Sequence, residues 1–340
     1  MGAMQTLIEA EEKPLGVIES LQQGFDFLNR HLWLLIPPIL LDLFLWLGPR
    51  VSISPLVQGL EELFVNQPEM PAEVMPDFEL AFASLQSLAE SYNLLTLLSG
   101  LLTRMPTLLA RLDFHSVASP VTRTIAISDW QMAFILAAVL IPIGVLIGSF
   151  WLTWLVFSLE GKRILSGEFF RRWGWVWLNV NLYLLALLFA LVSFSLIFGI
   201  IGAIALLFGT AGAMLLTVLW ILFIGFGIWL SIGLYFVVIS VALDGVNLAR
   251  AVWRSLNVVG RNAISTLGFI ILAFLLTEGF ARIWARLSVQ DWGVLLSILG
   301  NAYLGAAIVA GTFIFYQSRY QHWRKTRALL MISQGESDEA

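Results

Sequence analysis

The sequence predicts an all-α, polytopic membrane protein: six transmembrane helices, both termini cytoplasmic, and one large helical loop on the outer side. Three observations carry this reading. Of 340 residues only 12% are charged while 59% are hydrophobic, and the mean hydropathy is +0.86. A soluble domain carries about 25% charge and cannot hide this much apolar surface. The stretch Trp175–Leu243, 69 residues, contains no Asp, Glu, Lys, Arg or His, far more than the about 20 residues one crossing needs. The basic residues, finally, are distributed unevenly between the two faces that six spans would create. A soluble enzyme, a disordered chain and a disulfide-stapled domain are excluded. A β-barrel is excluded too, because its strands read as short segments of alternating polarity, and the apolar runs here are continuous.

Residues 1–31 read as a cytoplasmic amphipathic segment, too polar for a signal peptide, so the first helix is expected to remain as a signal anchor. Met1-Gly2-Ala3-Met4-Gln5-Thr6 matches the myristoylation pattern, but six spans need no lipid anchor and modification is not expected. The transmembrane domain occupies 32–316, with spans at 32–48, 130–158, 176–206, 211–242, 263–285 and 293–316. Pro37-Pro38 interrupts the first span early. Gly209-Thr210-Ala211-Gly212 is the best break within the long apolar stretch. With these spans, 13 basic residues fall on the face bearing both termini and six on the other or inside a span. The positive-inside rule makes the first face cytoplasmic. Tryptophans 33, 46, 130, 173, 284 and 292 fall near span ends, as interfacial rings do.

Residues 49–129 form an extracytoplasmic loop of 81 residues with nine acidic and four basic side chains. Its Pro-rich middle, 66–77, reads as irregular, with Asp77 as an N-cap. Phe78, Phe82, Leu85, Leu88, Tyr92 and Leu95 recur at helical spacing as one apolar stripe. Over 94–112 the chain turns Leu-rich yet holds Arg104 and Pro106, which favours an interfacial or re-entrant helix over a seventh span. The loop reads as a shield over helix ends, or as a lid or a surface for a membrane-protein partner. The tail, 317–340, opens with Arg319, Arg324, Lys325 and Arg327, a juxtamembrane cluster suited to anionic headgroups. Its acidic end, 336–339, is expected to be disordered.

Ile18–His31, Lys162–Gly174 and Asn247–Asn262 look alike, each short, amphipathic and placed before a span. A shift of 231 residues lays the first on the third and suggests three units of surface helix plus hairpin. Asn247–Asn262, with Ala251, Ser255 and Arg261, resembles the signature of bacterial six-span proteins around the glycerophosphodiester phosphodiesterase membrane domain and the YciC-like proteins. The resemblance covers about 170–316 and implies a multi-pass inner-membrane protein with no assigned chemistry. The 81-residue loop departs from that pattern, no phosphodiesterase domain is attached, and no catalytic residue carries over.

No Cys occurs, and the three His (His31, His115, His322) lie far apart, so no metal or cofactor is expected. No nucleotide or nucleophile motif is present. A net charge of -4 excludes a nucleic-acid face. Membrane lipids are the expected partners. Only Asp42, Glu278 and Arg282 are charged residues inside the spans, and with Asn301 they fall at similar depth from the outer face. Ionisable groups in a bilayer are functional candidates by default. Arg282 between two carboxylates is therefore expected, either as a clasp joining the first, fifth and sixth spans or as a site for a headgroup, an ion or a proton. The expected function is a non-enzymatic accessory or scaffold subunit of the bacterial envelope; the alternative is a small transporter or lipid-handling protein. Gly144 and Gly148, four apart in the second span, and Ala302, Ala306 and Ala310 in the sixth are expected to mark close packing within the chain.

Overall fold

The first apolar segment does not enter as one straight helix. The amphipathic helix α1 (Val17–Arg30) ends at a 95° bend, a 3-10 turn follows at Leu32–Leu35, and α2 (Ile36–Leu47) continues. Pro37 and Pro38 sit in the first turn of α2, where a missing N–H costs nothing within the helix. Instead of interrupting a helix, they begin one. In this computed structural model residues 14–65, 75–111 and 123–338 are described. Five helices among them are long and apolar enough to cross a bilayer, six when the bent pair counts as one, and the chain is a multi-pass helical membrane protein.

After α2 come strand β1 (Arg50–Ser52), α3 (Ser54–Val65), α4 (Met75–Ser91), a 3-10 segment (Leu94–Ser99), strand β2 (Thr124–Ala126) and α5 (Trp130–Leu159). The two strands pair in parallel, Val51 opposite Ile125, and bring the ends of the outer loop together. Asp77 lies in the first turn of α4 and not at its cap; residues 66–74 fall outside the described ones. The predicted stripe on α4 divides: Phe82 is buried, while Leu85 and Leu88 are exposed with Leu80.

Next are α6 (Gly167–Leu206), α7 (Gly209–Gly233), α8 (Val237–Asp244), α9 (Leu248–Arg261), α10 (Ala263–Leu287) and α11 (Asp291–Asp338). Lys162–Gly174 is therefore not a separate surface helix: Ser166 caps α6, whose first turns take up the rest of that segment. The 231-residue shift, by contrast, carries both ends of α1 onto both ends of α9. The acidic end is not disordered as far as Asp338, because α11 runs on through it. Extending an existing helix gains one hydrogen bond for each residue fixed.

The chain divides into two compact units. One, here the loop unit, comprises 28–164 and 273–307. The other, the hairpin unit, holds the chain up to Phe27, Leu165–Leu272 and the chain from Ile308.

In the loop unit, α2, α5 and the 3-10 segments form the core around Leu34, Leu45, Leu108, Trp151, Leu152 and Leu155, all essentially inaccessible. The carbonyl of Leu34 would bond the amide four residues on, but that residue is Pro38, which has no N–H. Trp151 supplies the missing donor: its indole Nε1–H reaches the Leu34 oxygen at 2.9 Å.

In the hairpin unit, α6 and α7 lie against each other through Phe194 and Phe223 (ring centroids 4.3 Å apart) and Phe198 and Trp220 (5.0 Å). No residue in the apolar window of either helix is buried. The chain breaks again between α7 and α8, and here α9 repairs it. Ser255 Oγ donates to the Gly233 carbonyl at 2.6 Å and accepts from the Phe236 amide at 3.0 Å. Asn179 Oδ1 accepts from the Leu248 amide at the start of α9. The pattern of Asn247–Asn262 is thus spent on packing and on backbone repair, with Ala251 and Ser255 fully buried.

Candidate functional site

The region where polar groups concentrate in the loop unit is the segment 93–111. It enters as the 3-10 turn Leu94–Ser99, capped by Asn93, whose Oδ1 accepts from Leu95 N and also from Val51 N of β1. Beyond Ser99 no regular helix forms. Gly100, Leu102 and Arg104 all hold positive φ, at 73°, 67° and 56°. For the two non-glycine residues this costs about 1–2 kcal/mol each, so surrounding contacts must enforce it.

Those contacts come from helix faces stripped of side chains. A Cβ on Gly144 would strike the Leu97 carbonyl, one on Gly148 would strike the Thr103 side chain, and one on Gly305 the Pro106 ring. Gly144 and Gly148 are the spaced glycine pair of α5, and their partner is this irregular segment. Gly144 lies 14 residues into α5 and Gly305 14 residues into α11, about 21 Å along each helix. Thr103, Met105, Thr107, Leu108 and Leu109 are buried. Non-helical backbone at such depth is tolerated only inside protein, since lipid offers no hydrogen bonds. The expectation of a helix over 94–112 is corrected accordingly: among the described residues the segment is a 3-10 turn and irregular chain, because Gly100, Pro106 and the left-handed residues deny it an α-helical ladder.

Asp42 completes the arrangement. It sits on the inner face of α2 with no exposed surface, one turn before Leu45 and Trp46. Its Oδ2 accepts from Leu108 N at 2.8 Å and its Oδ1 from Leu109 N at 3.1 Å. Two successive amides that an α-helix would have satisfied internally are satisfied by one carboxylate.

The predicted cluster does not assemble around Asp42. Glu278 and Arg282 are exposed on α10 and form no ion pair among the described residues. Asn301 is buried at 7% exposure on α11, and its Nδ2 has no hydrogen-bond partner among the described residues. The physical reason is that Glu278 and Arg282 stand on an exposed face of α10, whereas Asp42 is enclosed and takes its partners from Leu108 and Leu109. Ser149 Oγ of α5 is a second buried polar atom without a partner.

Of the tail residues read as headgroup contacts, Arg324, Lys325 and Arg327 are exposed. Arg319 is not available: its Nη2 donates to the Leu15 carbonyl at 2.9 Å and its guanidinium lies over the Phe315 ring. Sequence reasoning passed over a second polar centre of the hairpin unit. Asp244, closing α8, takes Arg254 Nη1 at 2.7 Å, Tyr316 Oη at 2.8 Å and Ser240 Oγ at 3.3 Å, all on Oδ2. Burial works against the charge on Arg254, but the bond to Asp244 and that carboxylate's charge outweigh it and raise the guanidinium above its ordinary pKa. Its planar group also lies over Tyr320 at 4.8 Å. No family model, curated protein or solved structure matches the chain.

Proposed function

We propose that the chain is a non-enzymatic accessory or scaffold subunit of a bacterial envelope, set in the inner membrane with both termini cytoplasmic. The observation that carries this reading is Asp42. Asp42, the one carboxylate buried among the described residues of the loop unit, accepts two backbone amides that no helix satisfies, so it holds structure in place. The basic loops and tail support the orientation. Further support is the hairpin α6–α7, whose apolar windows contain no buried residue and leave a face for a neighbour in the bilayer plane. A photo-cross-linking residue at Ile221 or Ile228 of α7 in native membranes should give a discrete protein adduct. Adducts with lipid alone would overturn the scaffold reading.

A second reading, a small transporter, is favoured by one observation: Asn301 Nδ2 and Ser149 Oγ are buried in the loop unit without partners among the described residues. It predicts that proteoliposomes of the full chain are permeable to small polar solutes, and that Asn301→Leu abolishes the flux while the protein still folds.

A further inference from the structure

At the start of α6, within the hairpin unit, lies a cavity of about 450 Å³ lined by Glu168, Arg171, Arg172, Trp175, Leu178 and the Asp244–Gly245 corner. Arg172 lies across Gly245. A Cβ there would collide with the guanidinium, and the left-handed φ of 65° also favours glycine. Arg172 Nη1 is buried, yet has no hydrogen-bond partner among the described residues. An unpartnered guanidinium nitrogen is costly and calls for an acceptor. Arg171 adds a second cation on the same wall. The Asp244 carboxylate is already matched by Arg254, so the two arginines outweigh Glu168 by one charge.

Below the cavity the same face of α6 is an apolar track. Trp175, Leu178, Leu182, Leu185 and Phe189 follow at three- and four-residue steps, 39%, 45%, 45%, 61% and 75% exposed. Trp175 sits between the two regions, with its indole N–H on the Val246 carbonyl, as an interfacial ring would.

We infer that this cavity binds the headgroup of a glycerophospholipid of the ethanolamine type. The phosphodiester lies against Arg171 and Arg172, the ammonium against Glu168, and an acyl chain along Leu178–Phe189. Guanidinium groups are suited to the phosphate oxygens. A carboxylate accepts at about four lone-pair positions, so Glu168 takes an N–H of the headgroup alongside its present interaction. A purely anionic headgroup would leave Glu168 opposed, and a trimethylated one would bring it no N–H. The inference is independent of the scaffold reading, since a transporter would carry the same site.

The test is native mass spectrometry of the full chain in detergent, with short-chain phosphatidylethanolamine, phosphatidylcholine of the same chains, and free phosphoethanolamine. The ethanolamine lipid should be retained at least tenfold more tightly than the choline lipid, and phosphoethanolamine should bind far more weakly than either. Arg172→Gln should weaken retention about tenfold, and Arg171→Gln, on the exposed side, should do so without touching the fold. Arg324→Gln in the tail should leave it unchanged. Equal retention of the two lipids, or no loss in either arginine variant, would overturn the site. Equal loss with Arg324→Gln would reduce it to general surface attraction. Binding of phosphoethanolamine as tight as the lipid would show a soluble phosphate ligand instead and overturn the lipid assignment.

Discussion

Leu108 and Leu188 both stand in leucine-rich stretches, yet Leu108 is wholly buried and Leu188 is 56% exposed. The contrast extends to the regions around them. The segment 93–109 is a 3-10 turn followed by irregular chain, short and buried over Met105–Leu109. The hairpin α6–α7 is regular, long and uncovered along its apolar windows. Hydropathy does not separate these cases, because lipid tails are as apolar as a leucine and nothing drives one leucine from lipid into protein. Backbone hydrogen bonding does. The hairpin satisfies every interior amide within its own helices and can face lipid. The segment at 100–109 does not, so side chains from elsewhere must complete it, and it must be enclosed.

That difference can be broken most severely at Asp42. Asp42→Ala strands the amides of Leu108 and Leu109, and at about 1–3 kcal/mol for each unsatisfied buried group the loss should be about 3–5 kcal/mol. Thermal unfolding in detergent reads it; an unchanged transition would show that the two bonds do not hold the segment. Gly148→Leu comes next. The side chain would occupy the place of Thr103, and overpacking of this kind should cost about 2–3 kcal/mol in the same measurement.

Trp151→Phe keeps an aromatic ring, though a smaller one, and removes the donor that replaces the amide Pro38 lacks. About 1–2 kcal/mol should be lost, and Pro38→Ala in the same background should restore part of it, since residue 38 can then donate. Phe189→Leu on the hairpin marks the other extreme. It changes a lipid-facing surface and should move stability by no more than about 0.5 kcal/mol. A loss comparable to that of Gly148→Leu would mean that the hairpin is packed against something and would erase the comparison.

The uneven legibility of the sequence has the same cause. Long helices such as α5 and α6 are visible because apolar composition suffices to specify a span. The turn at Leu207–Phe208, next to Gly209, is visible because glycine breaks the pattern. The fate of Asp42 was not legible, because it depends on whether residues 67 positions away keep their own amides. Pro106 and Gly100 carried a hint, since both argue against a helix whose termination leaves free N–H groups. Pro38 carried a clearer one: an orphaned carbonyl at Leu34 requires a donor, and Trp151 is a tryptophan placed too deep in its span for an interfacial role. The i, i+4 spacing of Glu278 and Arg282 misled for the opposite reason. It places two residues on one face of a helix, but not that face against Asp42.

Amide hydrogen exchange of the full chain in nanodiscs addresses the central claim most directly. The account predicts that Leu108 and Leu109, although outside any helix or strand, exchange as slowly as Leu152 in the core of α5, and that Asp42→Asn speeds both by at least about tenfold, equivalent to 1.4 kcal/mol. Exchange of these two amides at the rate of an exposed loop in the unaltered protein, or no change in the variant, would contradict it.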